Sequence, residues 1–271
     1  MIVANVRDKV IWLTGASSGI GEALAYELAS KGAKLILSAR RKDELNRVKG
    51  NCPAESQPNV RVLALDLTKQ ETLKLLTEAA IQIFGHVDIL INNGGVGQRS
   101  LAKETLIDVD RRLMEVNYFG AVALTKNILP HFFQRQSGHI VTVTSITGKF
   151  GTPYRSGYSA SKHALHGFFD SLRAELWKDV KNAITITLVC PGFVYTPSPI
   201  SAMTGDGTPQ GKMDNAQYNG LPAEVFAKKM IRAIEKRKNE VNIGGREVFG
   251  VYIKRFFPGI FARVIRKIAV R

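Results

Sequence analysis

Two side chains that could move a proton stand four residues apart in the stretch YSASKHALHGFFDSLRAEL, which runs from Tyr158 to Leu176. The apolar residues of this stretch recur with helical spacing, and positions four apart lie on the same face of a helix. The Tyr158 phenol and the Lys162 ammonium are therefore predicted to lie side by side. A nearby cation lowers the pKa of a phenol from about 10, so that the phenol could exchange a proton with a substrate near neutral pH. A solvated Tyr and a solvated Lys would show the same spacing.

A glycine-rich turn, TGASSGIG at residues 14–21, lies between a predicted strand at Val10–Thr14 and a helix predicted from about Ile20 to Lys31. Glycines allow a tight turn and let a pyrophosphate approach the amides of a helix N-terminus. A simple tight turn would need no ligand, but this position at the first strand–helix junction predicts dinucleotide binding. The GK[ST] of a nucleotide-triphosphatase loop is missing, which disfavours ATP or GTP hydrolysis. The predicted contacts here are Gly15, Ser17, Ser18, Gly19, Ile20 and Gly21.

The end of the second predicted strand indicates which dinucleotide binds. An Asp or Glu at this place would bind the 2′-hydroxyl of NAD. The sequence SARRKDEL instead has Arg40 and Arg41 after the strand. The planar guanidinium group binds phosphate oxygens well, so these residues favour the 2′-phosphate of NADP(H). An ordinary basic loop is the alternative interpretation.

The elements that must position these residues alternate between strands and helices. Strands this apolar, separated by helices, are typical of a parallel sheet that is buried on both faces. The sequence therefore predicts an α/β fold with a single doubly wound Rossmann-type parallel sheet and helices on both faces. Strands are predicted at 10–14, 34–39, 60–67, 88–93, 139–145 and 183–190, and the longest helical stretch at about 107–133.

No linker divides the chain, so residues 1–249 are predicted to form one catalytic domain. Residues 195–220 are rich in Pro, Gly, Ser and Asn, which is typical of a lid-like loop. Residues 250–271 are predicted to be a basic amphipathic segment. Cys52 and Cys190 fit no disulfide or metal spacing, and neither a signal peptide nor an apolar run of about 18 residues is found. These features predict an intracellular, reducing setting.

The positive charge of the chain is concentrated near its C-terminus. The formal net charge is +15, and residues 227–271 contain 13 Lys and Arg against three Glu. From Pro258 a helix is predicted whose apolar stripe is Ile260, Phe261, Val264, Ile265 and Ile268, with Arg263, Arg266, Lys267 and Arg271 largely elsewhere. An apolar stripe beside a basic face predicts reversible contact with an anionic membrane surface. The alternative is a terminal helix that covers the protein's own pocket or a dimer partner. No nucleic-acid recognition motif is found, and nucleic acid is not a predicted partner.

Several motifs in chain order resemble those of the short-chain dehydrogenase/reductase family over about residues 9–196. TGASSGIG resembles its cofactor loop, Asp66 its adenine-contacting Asp, and PGFVYT at 191–196 its P-G-x-V-x-T. NNGG at 92–95 resembles its N-N-A-G, with Gly94 where Ala is usual, which should loosen the strand end slightly. The family's Asn–Ser–Tyr–Lys tetrad is matched by Asn117, Ser145, Tyr158 and Lys162. The sequence is most similar to the branch that includes membrane-associated 11β-hydroxysteroid-dehydrogenase-like and dehydrogenase/reductase member 7 type enzymes.

The resemblance implies a role for each of these residues. Tyr158 would donate a proton to a carbonyl oxygen as hydride arrives from the cofactor, and Ser145 would polarise that oxygen. Lys162 would lower the pKa of Tyr158 and bond the nicotinamide ribose, while Asn117 would support a water that leads to Lys162. In isolation, Ser145 would be interpreted as a strand-end turn residue and Asn117 as a partner of the backbone. Further cofactor contacts implied by the resemblance are Asp66, Leu67, Asn93, Gly94, Pro191, Gly192, Val194 and Thr196.

The leading hypothesis is an NADP-dependent oxidoreductase that acts on a carbonyl or secondary alcohol of a lipophilic substrate, such as a steroid, retinoid, oxo-lipid or xenobiotic ketone. The alternative is a regulatory protein that binds the dinucleotide without turnover. No metal site is predicted, because His163 and His166 have no third ligand and are expected to face solvent or a neighbouring subunit. The resemblance implies a homodimer or homotetramer packed through helices near 107–133 and 158–176. It also implies peripheral contact with the endoplasmic reticulum or another internal membrane.

Overall fold

A seven-stranded parallel sheet forms the centre of the protein. The computed structural model describes residues 5–267. The strands lie in the order β3-β2-β1-β4-β5-β6-β7, and every neighbouring pair is parallel. This arrangement confirms the predicted doubly wound Rossmann-type sheet. The strands are β1 Val10–Thr14, β2 Lys34–Ser38, β3 Val60–Val62, β4 Ile89–Asn92, β5 Gly138–Val143, β6 Ile184–Pro191 and β7 Glu240–Ile243.

Helices cover both faces of this sheet because successive residues of its strands are apolar and point to opposite faces. In β1, Ile11 and Leu13 pack into one buried cluster, whereas Val10 and Trp12 pack into another on the opposite face. Helices α1, α2 and α7 cover the first face, and α3, α5 and α6 cover the second. The helices of eight or more residues are α1 Gly19–Ser30, α2 Lys42–Gly50, α3 Gln70–Phe84, α4 Ile107–Met114, α5 Gly120–Arg135, α6 Ser156–Val180, α7 Ala223–Glu235, α8 Phe249–Phe256 and α9 Pro258–Ile265.

Three elements differ from the sequence-based expectation. The strand predicted at 60–67 ends as regular β3 at Val62, although the Leu63 and Leu65 amides still donate to the Leu37 and Ala39 carbonyls, each at 3.0 Å. Strand β7 was not predicted, since EVNI is short and only partly apolar. The helical stretch predicted at 107–133 contains a π-helical turn, Glu115–Phe119, between α4 and α5.

The lid-like loop predicted at 195–220 is held at both ends and in its middle. Two-residue strands at Val194–Tyr195 and Leu221–Pro222 pair with each other and close its base. Within the loop, the Met203 amide donates to the Gly97 carbonyl at 3.0 Å, and the Arg99 amide donates to the Met203 carbonyl at 2.8 Å. The loop therefore lies over the segment that follows β4.

The C-terminal segment folds back onto the protein as α8 and α9. Pro258 occupies the first turn of α9, as the sequence predicts. Phe261 is buried, and its ring lies 4.9 Å from that of Phe150, centroid to centroid. A helical C-terminal extension is thus confirmed, although Ile268 of the predicted apolar stripe and Arg271 of the predicted basic face lie outside the described residues. Within residues 5–267, no helix combines the length and the apolar character needed to cross a bilayer.

Candidate active site

A cleft of about 810 Å³ lies at the carboxyl ends of the central strands. This is where doubly wound sheets bind ligands. All but two of the residues predicted from the sequence line it; the exceptions are Gly21 and Asn117. Those that line the cleft are Gly15, Ser17, Ser18, Gly19, Ile20, Arg40, Arg41, Asp66, Leu67, Asn93, Gly94, Ser145, Tyr158, Lys162, Pro191, Gly192, Val194 and Thr196.

The glycine turn after β1 requires residues without a Cβ atom. Gly15 and Gly19 have φ angles of 64° and 58°, a region that L side chains rarely adopt. A Cβ on Gly15 would lie 2.7 Å from the Gly94 Cα atom, and one on Gly21 would overlap the Gly15 carbonyl oxygen. Gly21 therefore serves to pack α1 against the turn rather than to line the cleft. The open backbone of this turn, beside the N-terminus of α1, fits a bound pyrophosphate.

Charged groups surround the adenosine end of the predicted cofactor site. Arg40 and Arg41 follow β2 and line the cleft. Asp66 also lines it, and its carboxylate accepts bonds from the Thr68 amide and hydroxyl at 3.0 and 2.8 Å. Burial raises the pKa of Asp66, but the bonds from Thr68 and the charges of Arg112 and Arg40 outweigh this and bring that pKa below its ordinary value. We call this region, with the glycine turn, the glycine-loop end.

Ser145, Tyr158 and Lys162 meet at the middle of the cleft. Ser145 follows β5, and Tyr158 and Lys162 lie one turn apart near the start of α6. The Ser145 hydroxyl is close enough to the Tyr158 phenol to lower the pKa of that phenol. The Lys162 amine lies 5.8 Å from the centroid of the Tyr158 ring and donates to the Val143 carbonyl at 3.0 Å. A hydroxyl, a phenol and an amine so arranged can hold a carbonyl oxygen and exchange a proton with it.

The sequence model of the short chain dehydrogenase family matches residues 9–205. The chain belongs to this family.

Relatives of this short-chain dehydrogenase span most of its length. A human dehydrogenase/reductase SDR family member 7 is 48% identical over 258 residues, which cover 94% of this chain and 76% of the relative. A dehydrogenase/reductase SDR family protein 7-like from Anopheles gambiae is 41% identical over 269 residues, which cover 97% of this chain and 84% of the relative. The sequence-based assignment to this family and to its member 7 type branch is confirmed.

Solved structures agree with the fold of this short-chain dehydrogenase. One from Burkholderia phymatum, in complex with NAD, has a TM-score of 0.80 at 24% identity and covers 94% of this chain and 96% of that one. An alcohol dehydrogenase from Thermococcus sibiricus, complexed with 5-hydroxy-NADP, has a TM-score of 0.73 at 27% identity and covers 88% and 97%.

The pKa of Tyr158 is affected by two residues that the sequence did not indicate, Arg99 and Arg155. Burial raises the pKa of Tyr158, and the Ser145 hydroxyl and the charges of Arg99 and Arg155 act against this rise. Lys162 was predicted to lower that pKa as well; its amine lies 5.8 Å from the centroid of the Tyr158 ring, and this effect stays a prediction. Lys162 is itself buried, and burial lowers the pKa of its amine to about 8. A buried amine of this kind is poised to lose and regain a proton near neutral pH.

Asn117 lies in the π-helical turn that separates α4 from α5. Its amide oxygen accepts from the Val96 amide at 2.8 Å, and its amide nitrogen donates to the Val96 carbonyl and the Ser161 hydroxyl, each at 3.0 Å. A Cβ on Gly95 would lie 3.0 Å from the Asn117 oxygen and 3.5 Å from the Lys162 amine. Asn117 therefore joins the strand end after β4 to the helix that holds Lys162. Its support of a water molecule stays a prediction.

The opposite part of the cleft contains residues that the sequence did not indicate. Arg99 and Arg155 are both buried and share the buried carboxylate of Asp214, from the lid-like loop, at 2.6 and 3.3 Å. The rings of Phe150 and Phe261, whose centroids are 4.9 Å apart, also line the cleft and form an apolar wall. We call this region the lid end. Its residues come from distant parts of the chain, and no local motif marks them.

His166 does not face solvent or a neighbouring subunit, as was expected. It is buried, and its Nε2 atom lies 3.8 Å from the Cys190 sulfur. Its Nδ1 atom lies 3.7 Å from a Glu240 oxygen. Burial lowers the pKa of His166 to about 4, so the ring is neutral at physiological pH. The expectation was wrong because strand β7, which carries Glu240, was not predicted. His163 is exposed, and the described residues contain no group of His, Cys, Asp and Glu able to hold a metal ion.

Proposed function

We propose that this short-chain dehydrogenase is an NADP-dependent oxidoreductase that interconverts a carbonyl group and a secondary alcohol on a lipophilic substrate. The observation that carries the proposal is the meeting of Ser145, Tyr158 and Lys162 in one cleft with the glycine turn. A protein that only sensed dinucleotides would have no need of this acid–base group. Family membership supports the oxidoreductase chemistry.

Each side chain would contribute one function to the reaction. When bound, the nicotinamide ring supplies or accepts the hydride. Ser145 donates a hydrogen bond to the substrate oxygen, and Tyr158 donates its phenolic proton to the same atom during reduction. Lys162 holds the ribose and, with a pKa near 8, restores the proton to Tyr158. In the oxidation direction the proton moves the opposite way.

The choice of NADP(H) rests on Arg40 and Arg41, which line the glycine-loop end where an acidic residue would favour NAD. Two guanidinium groups near the ribose would bind the additional phosphate through charge-assisted hydrogen bonds. The related alcohol dehydrogenase with bound 5-hydroxy-NADP is compatible with this choice, whereas the Burkholderia protein holds NAD.

A lipophilic substrate is supported by the wall that α8 and α9 add to the lid end. Phe150, Phe249, Ile253, Phe261, Val264 and Ile265 line this part of the cleft. Apolar side chains in such number would bind a hydrocarbon skeleton and leave the reacting oxygen beside Tyr158. Steroid, retinoid, oxo-lipid and xenobiotic ketones all satisfy this description.

A panel of these ketones, each with NADPH and with NADH, tests the proposal. We expect NADPH consumption with at least one lipophilic ketone, little with NADH, and none with Tyr158→Phe under the same conditions. Binding of NADPH without turnover on any member of the panel would instead favour the regulatory alternative.

The exposed surface of α8 and α9 supports contact with an anionic membrane. Phe256, Phe257 and Ile260 are each more than half exposed. Their neighbours are five basic residues, namely Lys254, Arg255, Arg263, Arg266 and Lys267, and residues 248–267 contain no acid. Phe249 and Val264 are also exposed, and both line the cleft. A bilayer at this surface, on the endoplasmic reticulum or another internal membrane, would allow lipophilic substrate to enter the cleft directly.

Co-sedimentation with phosphatidylserine-containing and with purely zwitterionic vesicles tests this part. We expect the wild type to bind only the anionic vesicles and the Phe256→Glu/Phe257→Glu variant to bind neither. Leu75→Glu, which changes an exposed leucine on α3, should behave as the wild type. Equal binding by all three proteins would contradict membrane docking here. We further propose a homodimer or homotetramer packed through α4–α5 and α6, which sedimentation velocity would detect.

A further inference from the structure

The Ser145 hydroxyl accepts two hydrogen bonds, and both come from Thr147. Ser145 begins a short 3₁₀ turn, Ile146–Gly148, directly after β5. Its oxygen accepts from the Thr147 amide at 3.1 Å and from the Thr147 hydroxyl at 2.9 Å. A hydroxyl oxygen has two lone pairs and one proton, so both lone pairs are occupied. The proton of Ser145 remains available for donation only.

For the proposed reaction it matters which hydroxyl is the donor in a hydrogen bond between Ser145 and Tyr158. Ser145 and Tyr158 line the same cleft, and in a hydrogen bond between them either hydroxyl could be the donor. If Tyr158 donated to Ser145, its proton would point away from the substrate oxygen. Because Thr147 fills both acceptor positions of Ser145, the donor in this pair must be Ser145. A hydrogen bond that Ser145 donates to Tyr158 favours the phenolate, because it stabilises the charged oxygen.

We propose that Thr147 is a positioning residue, whose hydroxyl fixes Ser145 as a hydrogen-bond donor and so keeps the Tyr158 proton free for the substrate. The inference rests on the proposed function and assigns to Thr147 a role that the sequence motifs did not indicate. Thr147 is as buried as Ser145, at 9% against 8% exposed, so solvent does not readily replace its bond. A row of donors from Thr147 through Ser145 also strengthens each bond by polarisation.

The decisive variant is Thr147→Val, which removes the hydroxyl and keeps the shape and the amide. We expect kcat for carbonyl reduction to fall about tenfold, with the NADPH dissociation constant unchanged. The loss of activity at high pH, where Tyr158 is deprotonated, should move to higher pH, because the phenolate loses support. Thr147→Ser retains the hydroxyl and should recover most of the activity.

The charged groups around Tyr158 are Lys162 on its own helix, Arg155 at the start of that helix, Arg99 after β4 and Asp214 of the lid-like loop. None of them is altered in the variant, so a shift of the profile reports on Ser145. Thr142→Val is the matched control. Thr142 is a buried threonine of β5 whose hydroxyl has no partner among the described residues, and its loss should leave kcat and the profile unchanged.

A double-mutant cycle separates positioning from a general structural effect. In a Ser145→Ala background, measured at high enzyme concentration, Thr147→Val should lower kcat by less than twofold. A tenfold loss in that background as well, or an unchanged kcat in the single variant, would overturn the proposal. Retained turnover in Tyr158→Phe would instead overturn the proposed function itself.

Discussion

The glycine-loop end of the cleft is built from backbone, whereas the lid end is built from side chains that come from distant parts of the chain. At the first, Gly15 and Gly94 meet so closely that no side chain fits between them. At the second, Arg99 and Asp214 are 115 residues apart in sequence and joined by a buried ion pair. Backbone geometry leaves a short local motif in the sequence, and a long-range ion pair leaves none. The two ends should therefore respond differently to substitution.

The largest effect on turnover is expected at Tyr158 and Lys162, which lie between the two ends of the cleft. Tyr158→Phe removes the acid and keeps the ring, so we expect turnover to fall about 10²- to 10⁴-fold. The affinity for NADPH should stay within twofold of the wild type. Lys162→Ala should weaken both, because the amine has a role in each. Steady-state kinetics and fluorescence titration of NADPH would measure these effects. If Tyr158→Phe kept more than a tenth of wild-type turnover, Tyr158 would not be the acid.

The lid end should depend on one carboxylate. Asp214→Asn leaves the buried Arg99 and Arg155 without their shared anion, and breaking a buried ion pair of this kind costs on the order of 3 kcal/mol of unfolding free energy. The KM for the carbonyl substrate should rise while NADPH affinity is kept. Urea unfolding would measure the first effect. Asp206→Asn, which alters an exposed carboxylate of the same loop, is the control. Equal stability of the two variants would show that the lid end does not depend on the Asp214 carboxylate.

The glycine-loop end should depend on charge where it meets the ribose. Charge-assisted contacts contribute about 1.5–3 kcal/mol, so we expect NADPH to bind about tenfold to a hundredfold more tightly than NADH. Arg40→Asp should narrow or reverse this preference without changing the KM for the carbonyl substrate. Titration calorimetry with both dinucleotides would decide, and equal affinities in the wild type would reject the assignment to NADP.

The smallest effect is a pH dependence of stability that comes from Lys162. Its folded pKa of about 8 lies below the usual value near 10.4, so the unfolded chain binds more protons between these values. Raising the pH through this window therefore stabilises the wild type relative to Lys162→Met. From pH 7 to pH 9 the difference in unfolding free energy should move by on the order of 1 kcal/mol in favour of the wild type.

The control for this measurement is Lys178→Met, which replaces an exposed lysine of the same helix. Its stability relative to the wild type should not change with pH over this range. A parallel course for the two variants would mean that Lys162 is not the group whose protonation is coupled to folding.

The sequence predicted the fold and the glycine-loop end well because both depend on local patterns. Runs of apolar residues mark strands buried on two faces, and the spacing of Gly15, Gly19 and Gly21 follows from the turn itself. Strand β7 escaped notice because four residues with mixed polarity carry too little periodic signal. Because β7 was not predicted, the expectation for His166 was wrong too, since its partner Glu240 lies on that strand.

The lid end could not be predicted in the same way. Arg155 stands three residues before Tyr158, and its type alone is compatible with a solvated loop. Only the folded chain brings it to Asp214 and to Arg99 in the cleft. The bond from Thr147 to Ser145 spans two residues, yet threonine after a strand is common and its hydroxyl can point in several directions. The roles of these side chains follow from the groups that they contact in the folded protein, and not from their residue types.

The order of the strands has a consequence for how the chain is made. Strand β1 lies inside the sheet, β2 and β3 extend it on one side, and β4, β5, β6 and β7 extend it in chain order on the other. Each strand that leaves the ribosome can therefore join an edge that already exists, and none has to insert between two earlier strands. The lid-like loop is synthesised before β7, α8 and α9, so the glycine-loop end can form while the lid end still lacks its last wall. A chain interrupted during synthesis would thus be expected to acquire its dinucleotide site before it could enclose a substrate.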